Sequence, residues 1–116
     1  MHEVHHALGP GLLESIYHSA MRVALEHRAI GYQSEVRVPV AFEGVSIGVA
    51  RVDLVVDQSL VVELKAVDAL HDIYFAQVRA YLILLRLKVG LLLNFNAPRL
   101  VIRRVVSDWK PFRAGS

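Results

Sequence analysis

At 116 residues the chain is long enough to bury one hydrophobic core without covalent staples, and it reads as a single domain, 1–116. It contains no cysteine, which excludes disulfides and thiolate metal sites and fits a cytoplasmic setting. No apolar run approaches the roughly 18 residues of a membrane span, so no membrane partner is expected, and the 54% hydrophobic content comes mainly from Val, Leu, Ile and Ala, a mix suited to a sheet covered by helices.

In chain order, Met1 to Leu8 reads as a helical fragment that Gly9-Pro10-Gly11 stops. From Gly11 to about Ala29, Leu13, Ile16, Tyr17, Ala20, Val23 and Ala24 fall at helical spacing, and Gly31 is the expected stop. Gln33 to Phe42 alternates polar and apolar like a half-exposed strand, and Pro39, which has no N–H for a ladder, places it at a sheet edge. Glu43-Gly44 is a turn, Val45 to Val56 a second strand, Asp57-Gln58-Ser59 another turn, and Leu60 to Ala66 a third strand; such short connections predict an antiparallel meander. Asp68 to Leu87 returns to helical periodicity. Val89 to Phe95 is almost wholly apolar, as a strand buried on both faces would be, and Leu100 to Val106 follows as a last strand. The main element order is α-βββ-α-β-β.

The chemically informative stretch runs from Asp53 to Lys65. Glu63 and Lys65 are two apart on a strand, so their side chains leave one face, and Asp53 on the preceding strand can come alongside. Buried charges are costly unless they are paired or bind a metal. Asp53 and Glu63 with the Leu64 carbonyl suffice for Mg²⁺ or Mn²⁺, with Lys65 beside the attacking water and the charge developing on phosphorus. A Glu63–Lys65 surface pair with Asp53 as an unrelated acid accounts for the same spacing.

Three motifs in order bear on that choice. Asp53 followed by Glu63-Leu64-Lys65 resembles the D…(D/E)xK core of the PD-(D/E)XK nuclease superfamily, although Val52 stands where the motif has proline. Gln77-Val78-Arg79-Ala80-Tyr81 is similar to the QxxxY motif of RecB-type members, and Gly11-Leu12-Leu13-Glu14-Ser15-Ile16-Tyr17 to the signature of the bacterial GxxExxY family. The resemblance implies an α/β, restriction-endonuclease-like fold, a mixed central sheet flanked by helices. It implies metal-dependent cleavage of DNA or RNA, with Asp53, Glu63, Lys65 and Gln77 as catalytic residues and Glu14, Asp53 and Glu63 as ligands of Mg²⁺ or Mn²⁺. Tyr81 and Tyr17 are accessory candidates, Tyr17 more as core than as chemistry.

Charge is unevenly distributed. From Gln77 onward Arg79, Arg86, Lys88, Arg99, Arg103, Arg104, Lys110 and Arg113 are opposed only by Asp108. Arg103 and Arg104 are therefore candidates for nucleic-acid binding, the other reading being a solvated rim. The competing function is a catalytically silent module that keeps the fold and binds nucleic acid or assembles with itself, and the aliphatic content suggests a homodimer. His2-Glu3-Val4-His5-His6 matches the zinc-protease pattern HExxH formally, but it is expected at a ragged chain start with no buried helix to hold it. His18 and His71 are left without a role.

Overall fold

The structure, a computed structural model, describes residues 1–108, so Lys110 and Arg113 of the basic half lie outside the described residues. Its elements are α1 (His2–Leu8), α2 (Glu14–His27), β1 (Tyr32–Phe42), β2 (Val45–Val56), β3 (Leu60–Lys65), α3 (Asp72–Leu85), β4 (Val89–Asn94) and β5 (Val101–Val106). The strands form one five-stranded sheet in the order β1-β2-β3-β4-β5. The three hairpin-linked strands pair antiparallel, β3 and β4 pair parallel across the α3 crossover, and β5 returns antiparallel.

Two apolar layers hold the sheet. On one face Tyr17, Met21 and Leu25 of α2 and Val4 of α1 pack on Leu54, Val62, Leu64, Leu93 and Phe95. On the other, Val78 and Leu82 of α3 pack on Val52, Val55, Val61, Leu92 and Val105. β3 and β4 are covered on both sides, which is why β4 reads as an unbroken apolar run. α3 lies so close to β4 that a Cβ on Gly90 would sit 2.7 Å from Val78 Cγ1. β1 is an edge strand, and Pro39 is accommodated there.

The helix ends differ from the periodicity for identifiable reasons. Gly11 takes φ 100° and Leu13 is extended, so α2 starts at Glu14 rather than Gly11. At its other end Ala29, not Gly31, adopts the left-handed conformation (φ 54°), and the Ile30 amide donates to the Leu25 carbonyl in a Schellman closure. α3 begins at Asp72 rather than Asp68 because the chain after β3 is clamped first: the Asn94 side chain accepts from the Val67 amide and donates to its carbonyl. α1 is packed rather than ragged. Val4 and His5 are buried, and His5 Nε2 lies 2.8 Å from the Ala97 carbonyl. Glu3 pairs with Arg28, so the HExxH acid is engaged in an ion pair at the protein surface. No helix among the described residues is long and apolar enough to cross a membrane.

Candidate active site

Asp53 and Glu63 meet where the sheet ladder opens. β2 pairs with β3 only from Leu54↔Val62 to Val56↔Leu60, and beyond that point the carboxylates take over the backbone's hydrogen bonds. The Asp53 amide donates to Glu63 Oε1 at 2.8 Å, and the Leu64 amide donates to Asp53 Oδ2 at 2.9 Å. The β1–β2 pairing skips the same place: it runs from Ser34↔Leu54 to Val36↔Val52, leaving out Glu35, which has φ 53°, and Asp53. Val52 and Val55, three apart, both join the α3-side cluster, so strict alternation is interrupted between them. The break in the strand is what brings Asp53 beside Glu63.

Glu63 is 3% exposed. Burial, and secondly the Asp53 charge, push its carboxyl up to about 8. Among the described residues neither Asp53 nor Glu63 forms an ion pair. Lys65 instead donates from Nζ to Gln77 Oε1 at 3.2 Å, and the ammonium lies 4.8 Å from the centre of the Tyr74 ring. Its charge still reaches both Glu14 and Glu63, lowering each carboxyl against the upward shifts.

Two helices close on this point from opposite faces of the sheet. α2 begins with Glu14, an exposed residue whose carboxyl is held above the ordinary range by partial burial and by Asp53. α3 contributes Tyr74, Gln77 and Tyr81, at i, i+3 and i+7 of one stripe. Burial first, then the Glu63 and Asp53 charges, raise the Tyr81 phenol, while a hydrogen bond with Gln77 opposes them. Tyr17 lies in the core, fully buried and stacked on Phe95 with centroids 4.6 Å apart. Its hydroxyl donates to the Gly9 carbonyl at 2.5 Å and accepts the Leu12 amide at 3.2 Å, which ties down the loop before Glu14.

The structure thus gathers Asp53, Glu63, Lys65, Gln77, Tyr81 and the approach of Glu14, while Tyr17 serves from behind. Among the described residues no three His, Cys, Asp or Glu side chains are drawn together tightly enough to form a ready metal cage. Arg103 and Arg104 are exposed on the edge strand β5, where Arg103 shares a cross-strand row with Leu92 and Glu63 and its Nη1 donates to the Ile102 carbonyl. Three neighbours received no role from sequence reasoning. His18 Nε2 lies 3.1 Å from the Asp53 carbonyl and 3.1 Å from Ser34 Oγ, and Tyr74 faces Lys65. Helical spacing carries the signal for two of them: His18 is four residues after Glu14, and Tyr74 three before Gln77.

The sequence matches the PD-(D/E)XK nuclease superfamily over residues 1–105. The chain belongs to that superfamily. Nucleases of that superfamily generally use divalent metal ions. The solved structure of SSO0001 shares the fold, with a TM-score of 0.65 and 20% identity over 83% of this chain and 50% of that one. This PD-(D/E)XK chain therefore spans half the length of SSO0001, and at such identity the likeness concerns fold alone. The five-stranded mixed sheet with helices on both faces is the restriction-endonuclease-like arrangement expected. None of the curated proteins compared with it matches.

Proposed function

We propose that this protein is a nuclease of the GxxExxY branch, hydrolysing phosphodiester bonds of DNA or RNA in the cytoplasm with Mg²⁺ or Mn²⁺. The observation that carries the reading is the Asp53–Glu63 pair: two carboxylates at one break in the sheet, one of them buried, with no ion-pair partner among the described residues. Each gives one oxygen to a backbone amide, and the two carboxyl groups lie within hydrogen-bond reach of each other, close enough to share one cation. A buried carboxylate pair of this kind fits a hard divalent ion, and Glu14 is the third oxygen donor within electrostatic reach. When bound, such an ion would neutralise phosphate charge and activate water.

The chain's own residues supply the rest. Lys65, in no ion pair among the described residues, is held by Gln77 and Tyr74 where its ammonium can meet the charge developing on a phosphate. Gln77 sets the direction of Lys65, and Tyr81 closes the α3 side of the cleft. Arg103 and Arg104 bind the nucleic-acid backbone along β5. One observation favours a second reading, a silent self-assembling or nucleic-acid-binding module: the β1–β2 hairpin exposes Phe42, Val45, Ile47 and Val49, as a homodimer interface would.

Cleavage assays on single- and double-stranded DNA and RNA with Mn²⁺ separate the two. For the enzyme, Lys65→Ala keeps Mn²⁺ affinity and loses roughly 10²–10³-fold in rate, the scale of one transition-state electrostatic partner. Asp53→Asn loses metal binding and cleavage together. Wild-type protein that cuts none of these substrates is the module, and cleavage that survives Lys65→Ala unchanged removes Lys65 from the mechanism.

A further inference from the structure

Asp53 has an unusual backbone environment for a residue inside a strand. Its amide is bonded to a side chain, Glu63, and its carbonyl faces another, His18. The β1 residue that register places opposite, Glu35, is left out of the pairing and lies in the left-handed region at φ 53°. A strand carbonyl normally receives an amide from its neighbour, and one left unpaired at a half-buried position is costly. Here an imidazole from α2 stands in for it.

The contact fixes the ring's protonation pattern. A carbonyl oxygen only accepts, so the ring nitrogen at 3.1 Å from Asp53 O must carry the proton: Nε2 is the donor. Ser34 Oγ, also 3.1 Å from Nε2, then shares that proton as a second acceptor and holds the ring from the β1 side. His18 lies one helical turn after Glu14 and directly after Tyr17, which the core fixes by its stacking on Phe95. A packed helix therefore carries both Glu14 and the donor that grips Asp53.

We propose that His18 is a positioning residue: its Nε2–H holds the Asp53 main chain in the sheet break and so sets the Asp53 carboxylate against Glu63 and the Leu64 amide. The consequence for metal affinity rests on the nuclease reading above, whereas the hold on Asp53 does not. His18 touches no reacting atom in this arrangement and acts through Asp53 and the helix it shares with Glu14.

The test compares His18→Leu, which removes the donor while filling the space, with His18→Gln, which returns an N–H at similar reach. Amide exchange at Asp53 and Leu64 reads the break itself. His18→Leu is expected to speed exchange at both amides relative to the rest of β2 and β3, with His18→Gln restoring most of the protection. Nitrogen NMR of the wild-type imidazole is expected to show the Nε2–H form. Where wild-type protein binds Mn²⁺, His18→Leu is expected to weaken that binding about 10–100-fold, the usual range for a supporting partner of a metal ligand, and His18→Gln to recover it. Local exchange unchanged in a folded His18→Leu protein, Nδ1–H as the ring form, or His18→Gln no better than His18→Leu overturns the proposal. Wild-type protein that binds no Mn²⁺ removes the metal reading instead, and the exchange and tautomer results then decide the role of His18 by themselves.

Discussion

β3 with β4, and the outer half of the β1–β2 hairpin, draw on the same aliphatic residues and end in opposite situations. β3 and β4 lie between α1/α2 and α3, and Val61, Leu64, Leu92 and Leu93 are fully buried. The hairpin runs out beyond both helical layers, leaving Phe42, Val45 and Ile47 each 63% exposed. Composition is therefore a poor guide to burial in this chain, and the number of covering layers decides. The same contrast locates the charges. Glu63 carries its carboxyl into the covered centre, where the missing solvent raises its proton affinity. Glu35 and Arg51, both exposed, share a 4.0 Å pair, and the Arg51 charge also reaches Glu14 and Tyr81.

The comparison breaks most visibly by truncation. Leu64→Ala in the doubly covered strand is expected to cost about 2–5 kcal/mol, transfer plus cavity. Ile47→Ala, removing a side chain of similar size from the hairpin, should stay within roughly 0.5 kcal/mol, as exposed substitutions do. Urea unfolding of the two variants measures both. Equal losses would mean that the hairpin is covered in solution, as a homodimer would cover it.

A pH-dependent effect follows from Glu63. Its folded carboxyl holds a proton up to about 8, whereas in the unfolded chain it ionises near 4.5. Between those values the native state binds more protons, so stability falls as pH rises and levels off above about 8. Each unit of difference corresponds to roughly 1.4 kcal/mol. Melting temperature followed across this window in EDTA is expected to decline, and Glu63→Gln to flatten the decline.

The finest test concerns how closely α3 lies on the centre. With Val78 Cγ1 at 2.7 Å from an added Cβ, Gly90→Ala forces α3 outward or Val78 into another rotamer. Overpacking of this kind costs typically about 1–3 kcal/mol, readable as a lowered denaturation midpoint. Gly48→Ala in the hairpin, where an added Cβ meets nothing within 4 Å, is the matched control.

Much of this protein was legible along the chain. Period-two alternation and short turns gave β1, β2 and β3, Pro39 gave the edge, and the apolar run of β4 gave its double cover, because each is a local consequence of backbone geometry and burial. The spacing of Glu63 and Lys65 and the i, i+4 pair of Gln77 and Tyr81 likewise announced shared faces. The helix starts were less legible. The Asn94 clamp on Val67 comes from 27 residues away and delays α3 in a way no local propensity encodes.

What only the tertiary structure decided is the break at Asp53. Nothing in Val52-Asp53-Leu54 says that the ladder stops there, that Glu63 takes the Asp53 amide, or that His18, 35 residues away, comes to its carbonyl. Nor could spacing tell that Lys65 would turn to Gln77 and Tyr74 rather than to Glu63 two residues away. These are contacts between strands and helices whose partners are fixed by how the two apolar layers pack. A one-dimensional pattern can place residues on a face, but the partner each of them meets depends on the packing of the whole sheet.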